Sequence, residues 1–191
     1  MNIIKSILFF YFFLMITGFD HLKSQNTGIL SNKIRIASFD IDSVLQYSDE
    51  DKTVMAIDNY INQISNYGNH IGKLTEPQKT FLFIENLERE VNNGGFNQFY
   101  FNPTGDYSQE TVDALLVIGA KKTANIVKIA NAQFPENPVP KDRDRRRKLL
   151  IKIEKKANEI WDECDKMYYK YEDNLSCLLV KYVKEHKEDF K

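Results

Sequence analysis

Residues 75–95 read TEPQKTFLFIENLEREVNNGG, and the spacing within them decides the fold class. Thr75 and Gln78 form a capping-box pair, and Pro77 lies in the first turn, where its missing N–H costs nothing. Phe81, Ile84, Leu87 and Val91 then recur at three- and four-residue spacings, the period of one buried helix face, with Glu88 on its flank. Asn93, Gly94 and Gly95 end the run, because two glycines after an Asn admit positive φ and a sharp reversal.

The same period extends in both directions. Upstream, Ser48 and Asp51 give a helix-start signature, Val54, Ile57, Ile61 and Ile64 make the stripe, and Gly68 stops it. Downstream, Ser108 opens a helix carrying Val112, Leu115, Leu116 and Ile118, and Gly119 passes the chain to another carrying Ala124, Val127, Ile129 and Ala130. Residues 134–140, FPENPVP, form a proline-punctuated loop. Asp142 or Asp144 then opens a long helix through Leu150, Ile153, Ala157, Trp161, Cys164 and Met167. Asn174 or Asp173 caps a last one through Leu175, Leu179 and Val183. No internal run reads as a strand and no repeat is present. The expectation is an all-α, single multi-helix globular domain over residues 48–191. Residues 25–47 are expected as a flexible or extended leader, with alternation at Ile34 and Ile36 that either stays extended or leads into a helix.

The N-terminus carries a separate signal. Lys5 precedes an uncharged apolar run over residues 6–18, shorter than the roughly 20 residues that span a bilayer. That pattern marks residues 1–24 as a secretory signal cut near Ser24, with an uncleaved anchor as the alternative. The protein is then expected to be exported, periplasmic or secreted, touching a membrane only through this segment if it is retained. Export permits a disulfide between Cys164 and Cys177, thirteen residues apart on successive helices; two separate buried thiols are the other reading.

Composition is that of an ordinary soluble chain: 191 residues, 42% apolar, 28% charged and a net charge of −1, which calls for no nucleic-acid partner. The average hides a split. Residues 39–120 hold thirteen acids against four bases, a net of −9, and residues 121–156 hold twelve bases against four acids, a net of +8.

Chemistry-bearing patterns are few. Asp40 and Asp42 in SFDIDS resemble the first motif of haloacid-dehalogenase-type phosphatases, where one Asp attacks phosphorus and both help hold magnesium. Those enzymes converge their residues on the ends of a parallel sheet, and this chain offers no alternating β and α units, so acids in a loop before a helix are the competing reading. Beyond residue 24 only His70 and His186 remain, far apart, and neither a nucleophile elbow nor a phosphate-binding loop is present. No cofactor or metal site is expected. Residues 141–148, KDRDRRRK, could hold an acidic partner, but the interleaved Asp142 and Asp144 fit a solvated helix start better.

The most distinctive stretch is residues 88–102, EREVNNGGFNQFYFN. Asn93, Gly94 and Gly95 supply a corner. Phe96 and Phe99 supply apolar area, and Gln98 and Asn102 supply amides suited to exposed backbone at a helix end. Two readings stand: a structural corner whose aromatics plug the core, or an aromatic and amide surface that docks a protein partner.

This stretch resembles a bacterial family of domains of unknown function that includes a DNA-mimic protein. The family's hallmark is an acidic helix running into an Asn-Gly-Gly-Phe-x-Gln-Phe motif, carried here by Asn93, Gly94, Gly95, Phe96, Gln98 and Phe99, with Asn102 beyond. The likeness covers roughly residues 76–190. It implies an all-helical fold and, for the mimic itself, binding to DNA-binding proteins through a phosphate-like array of acids. This chain departs from that pattern in its near-neutral charge, its basic third quarter and its export segment. The expected function is therefore a non-catalytic protein–protein interaction module. Cytoplasmic DNA mimicry and a metal-dependent phosphohydrolase using Asp40 and Asp42 are the alternatives.

Overall fold

Side-chain caps and apolar stripes set the helix ends in the computed structural model, which describes residues 39–191. Seven α-helices follow in order: α1 (Ile41–Val44), α2 (Glu50–Ile64), α3 (Glu76–Phe101), α4 (Ser108–Val117), α5 (Lys121–Asn131), α6 (Arg143–Tyr168) and α7 (Leu175–Glu185). Short 3-10 turns cover Pro103–Tyr107 and Lys187–Phe190, and no strand occurs among the described residues. The all-α expectation holds. Residues 1–24, expected as a signal segment, and most of the expected leader lie outside the described residues. Among those described, no helix is long and apolar enough to cross a membrane.

Several starts match the sequence signatures. Thr75 and Gln78 close the capping box in both directions, Asp142 accepts from the Arg145 N–H at 2.7 Å, and Asn174 accepts from the Cys177 N–H at 3.0 Å. Three expectations shift. Asp49, not Ser48, caps α2, its carboxylate accepting from the Lys52 N–H. α2 ends at Ile64, and Gly68, at φ +79°, sits in the turn beyond. The domain also begins earlier than residue 48: Asp40 caps α1 and its Ile41 and Val44 are buried, so residues 40–47 are not loose leader.

Gly94 and Gly95 break the helical backbone where the sequence places the end of the run (Gly95 at φ +71°, ψ −173°). The pattern does not show that a second helical stretch begins at once and runs to Phe101, the two together making the kinked α3. α6 lies antiparallel along α3, as its contacts show in descending order: Tyr168 to Glu88, Asp165 to Phe96, Asn158 to Asn97 and Arg146 to Tyr100. Between them sits an aromatic core. The Tyr100 ring centroid is 5.2 Å from Trp161 and 4.9 Å from Phe134, and Phe96 and Phe99 are 0% exposed. The Trp161 indole N–H donates to the Ala130 carbonyl at 3.1 Å, tying α5 to this core. The C-terminus returns to α2 and α3: Phe190 meets Phe81 edge-on, and the Gln78 amide donates to the Asp189 carbonyl.

Candidate functional site

The glycine corner is built by two residues that lie far away in sequence. Asp165 of α6 accepts from the Phe96 N–H at 2.9 Å, capping the half of α3 that restarts after the kink. A Cβ on Gly95 would lie 2.2 Å from Asp165 Oδ2 in a left-handed backbone conformation, so position 95 requires glycine on both counts. Burial pushes the Asp165 carboxyl above its ordinary range, opposed by the Phe96 N–H. At the far end, the fully buried Arg146 donates to the carbonyls of Tyr100, Asn102, Pro140 and Lys141 and pairs with Asp106. Gly105 lets that guanidinium approach, since a Cβ there would stand 3.0 Å from Arg146 Nε and 2.8 Å from the Phe99 carbonyl.

The corner residues are thus brought together, but not as a docking surface. Phe96 and Phe99 are wholly buried. Gln98 and Asn102, expected to bind exposed backbone, both donate to one carboxylate oxygen of Glu90, at 2.7 and 2.8 Å. The staple closes because Glu90 lies just before the kink and the two amides just after it. Asn93 and Gly94 are exposed on the outside of the bend. The exposed aromatic of the motif is Phe101, whose ring lies under the Arg147 guanidinium at 4.1 Å.

For the cysteines and for Asp40 and Asp42, the sequence leaves two readings each, and the geometry separates them. Cys164 and Cys177 are both free and not bonded to each other. Cys164 is buried on the inner face of α6, with burial pushing its thiol up to about 11, while Cys177 is exposed on α7. Asp40 and Asp42 do not stand at a strand end: the Asp40 carboxylate accepts from the Asp42 N–H and the Ser43 hydroxyl as a helix cap, and Asp42 pairs with Lys187 at 2.7 Å. That arrangement commits both carboxylates to holding α1 and the C-terminus. Among the described residues no group of three or more His, Cys, Asp or Glu is placed to hold a metal ion.

A different site emerges where α2, the first half of α3 and the α6–α7 turn meet. Asp51 and Asp58 come from α2, Glu85 and Glu88 from α3, and Tyr168 and Tyr171 from the end of α6 and its turn. Tyr168 and Tyr171 donate to the two oxygens of Glu88, at 2.6 and 3.0 Å. Arg89 donates to both oxygens of Asp58, at 3.0 and 2.8 Å, and Ser176 donates to Asp51 at 2.7 Å. These donors are all directed at neighbours, and none among the described residues is directed at the half-buried Glu85. Burial, then the Asp58 and Glu88 charges, raise the Glu85 carboxyl to about 8, against the pull of Arg89. Burial and the neighbouring Glu88 likewise hold the Tyr168 hydroxyl well above its usual range, so it stays a donor. Sequence reading missed this recess because its members are spread over 121 positions, from Asp51 to Tyr171. The one signal available was the acidic excess of residues 39–120. Across Tyr168 lies a cleft of about 360 Å³ lined by Lys121, Lys122, Thr123 and Lys170. Its Thr123 N–H is already taken by Asp173, and its Lys122 by Glu172.

Of the thirteen acids from Asp40 to Asp113, six pair with a base: Asp42, Asp49, Asp58, Glu76, Asp106 and Glu110. Glu90 is occupied by its two amides.

No curated protein and no solved structure matches the chain. A family match does exist, and it falls on the part of the chain just described: residues 72–186, spanning α3 with its glycine corner through α7, match the family described as DMP19-like protein. The chain belongs to the DMP19-like protein family.

Proposed function

We propose that the domain is a non-catalytic protein–protein interaction module of an exported protein. Its recess of Asp51, Asp58, Glu85 and Glu88 takes a basic side chain of a protein partner. The observation that carries this reading is Glu85, a recessed carboxyl with three carboxylates around it and no donor directed at it. Holding a charge there is unfavourable: burial and the Asp58 and Glu88 charges keep the proton on Glu85 up to about 8. An incoming guanidinium or ammonium removes that cost by supplying both charge and N–H groups. The two tyrosines and Arg89 hold the neighbouring carboxylates in fixed positions, so the recess is organised before a partner arrives.

The test uses a short arginine-rich peptide as probe, titrated into the full-length protein near neutral pH. Binding that weakens with salt and is lost in Glu85→Gln/Glu88→Gln is expected. Absence of binding, or binding indifferent to both substitutions, would remove the recess from the reading. Saturable turnover of a small substrate by the pure protein would remove its non-catalytic part. Cell fractionation with the intact mass of the native chain tests export: a mature protein beginning near Gln25 is expected.

Cytoplasmic DNA mimicry is the weaker reading, because six of the thirteen acids are neutralised within the fold. A phosphohydrolase using Asp40 and Asp42 is weaker still, since both carboxylates are engaged at α1.

A further inference from the structure

The outside of the α3 bend carries an asparagine that its surroundings leave chemically open. Asn93 and Gly94 are both exposed, and they are the one Asn-Gly pair in the chain. The amides around them are held: Asn92 donates to the Glu88 carbonyl and carboxylate, Asn97 donates to Asn158, and Gln98 and Asn102 share Glu90. No hydrogen bond among the described residues uses the Asn93 side chain, so its amide is free to turn.

Gly94 follows Asn93 for a structural reason. A Cβ at position 94 would stand 3.0 Å from both Cβ and Cδ of Gln98 and would push that amide off Glu90. The staple that closes the bend therefore keeps the residue after Asn93 without a side chain, and the backbone nitrogen there without the steric shield of a Cβ. The backbone also gives way at this point. Gly94, at φ −161° and ψ 25°, is the first residue outside helical geometry. Asn93 thus leaves the helix by fraying the end of one helical stretch, not by opening its interior.

We propose that Asn93 is a site of spontaneous covalent modification, deamidating to aspartate and isoaspartate as the protein ages. The Gly94 backbone nitrogen gives its proton to hydroxide and attacks the Asn93 side-chain carbonyl carbon. A cyclic imide closes, the bond from that carbon to the side-chain nitrogen breaks, and ammonia leaves with a proton drawn back from water. Water then opens the ring. Attack at the side-chain carbonyl yields aspartate. Attack at the main-chain carbonyl yields isoaspartate, in which the chain runs through the former side chain and is longer by one methylene, about 1.5 Å. The added length falls between Glu90 and the two amides it holds, and just ahead of Gly95, whose place is set by Asp165. Both products also add a carboxylate one turn from Arg89 and Glu90. Ageing thus turns a fixed corner into a more acidic one and, in the isoaspartate form, a longer and looser one. The proposal does not depend on the acid recess and stands if that reading falls.

The test incubates the folded full-length protein in mildly alkaline buffer beside a synthetic peptide of residues 88–98, which serves as an unconstrained clock. Ammonia release and peptide mapping, with fragmentation that separates aspartate from isoaspartate, should place the change at Asn93 and leave Asn92, Asn97 and Asn102 intact. The rate should rise with pH, because the attacking nitrogen must lose its proton. It should be slower than in the peptide by about a hundredfold or less, the cost of fraying a helix end. Asn93→Gln should slow the release at this site by about tenfold or more, since a ring with one more carbon closes less readily. The position is exposed, so helical circular dichroism should be unchanged in that variant. The isoaspartate fraction should melt below Asn93→Asp, which carries the new charge without the longer chain. Asn93 intact after about a hundred half-lives of the peptide, or another asparagine of the folded protein modified ahead of it, overturns the proposal. Equal melting of the isoaspartate fraction and Asn93→Asp overturns the loosening of the corner.

Discussion

Asp165 Oδ1 accepts the Phe96 N–H at 2.9 Å, and its other oxygen stands 2.2 Å from where a Cβ on Gly95 would be. One carboxylate thus both restarts α3 after the kink and enforces the glycine that makes it. The two residues joined by that hydrogen bond are separated by 69 positions, so the glycine corner and the C-terminal half of α6 form one structural unit.

Gly95→Ala is expected to destabilise the fold by about 2–4 kcal/mol, combining a left-handed non-glycine backbone with the collision at Asp165. Asp165→Ala is expected to cost about 1–2 kcal/mol through loss of the cap. The two should not add. Removing the carboxylate removes the collision, so Gly95→Ala should cost less in the Asp165→Ala background, and a urea-denaturation cycle of the four proteins reads the coupling directly. Additive costs would mean that Asp165 does not constrain position 95.

How much of this was legible in the sequence follows from how local each device is. The capping box of Thr75 and Gln78 and the caps at Asp142 and Asn174 are written within four residues, and they stand where the sequence places them. The shift from Ser48 to Asp49 is a choice between neighbouring caps, settled by which side chain reaches the Lys52 N–H. The break at Gly94 and Gly95 is legible from the glycines themselves, but the immediate restart is not, because its cap comes from Asp165. Gln98 and Asn102 were read as backbone binders because Glu90, their acceptor, is reached only once the bend folds them together. The acid recess joins three helices and a turn, and no local pattern announces it.

Arg146 should be the most sensitive charged position in the domain. Its guanidinium is 0% exposed and serves four backbone carbonyls and Asp106. Arg146→Met should cost about 3–5 kcal/mol, because Asp106 and the carbonyls lose their donor while shut away from water. Arg146→Lys should recover little, since a single ammonium lacks the fork that spans acceptors on both sides. Thermal melts followed by circular dichroism check both. A Lys variant as stable as the wild type would show that one ammonium satisfies the whole set.

The two thiols should behave oppositely. Cys177 is exposed, whereas Cys164 is buried and its thiol is pushed up to about 11, first by burial and then by Asp165 and Glu163. Iodoacetamide on the folded protein should label Cys177 and leave Cys164 unlabelled until denaturant is added, because the thiolate is the reacting species. Peptide mass mapping under non-reducing conditions should find both as free thiols. A Cys164–Cys177 cross-linked peptide would restore the disulfide expected from their spacing.

Glu85 gives the domain a stability profile that falls with rising pH. In the unfolded chain this carboxyl releases its proton near its ordinary value of 4.5; in the fold it holds the proton up to about 8. Between those values the folded state binds more protons than the unfolded one, so this contribution is fully present below 4.5 and is lost as pH rises toward 8. Glu85→Gln removes the titration while keeping a neutral side chain of the same shape. The variant should therefore match the wild type near pH 4 and exceed it near pH 8, the gap opening steadily in between. The full shift would be worth about 4–5 kcal/mol, and water screening of the half-exposed carboxyl brings the expected gap down to about 1–2 kcal/mol. Melting temperatures of both proteins across that range decide the matter. A constant difference at every pH would mean that Glu85 titrates alike in the folded and unfolded chains, and the recess would then lose the half-buried, donor-free carboxyl on which its affinity for a basic side chain depends.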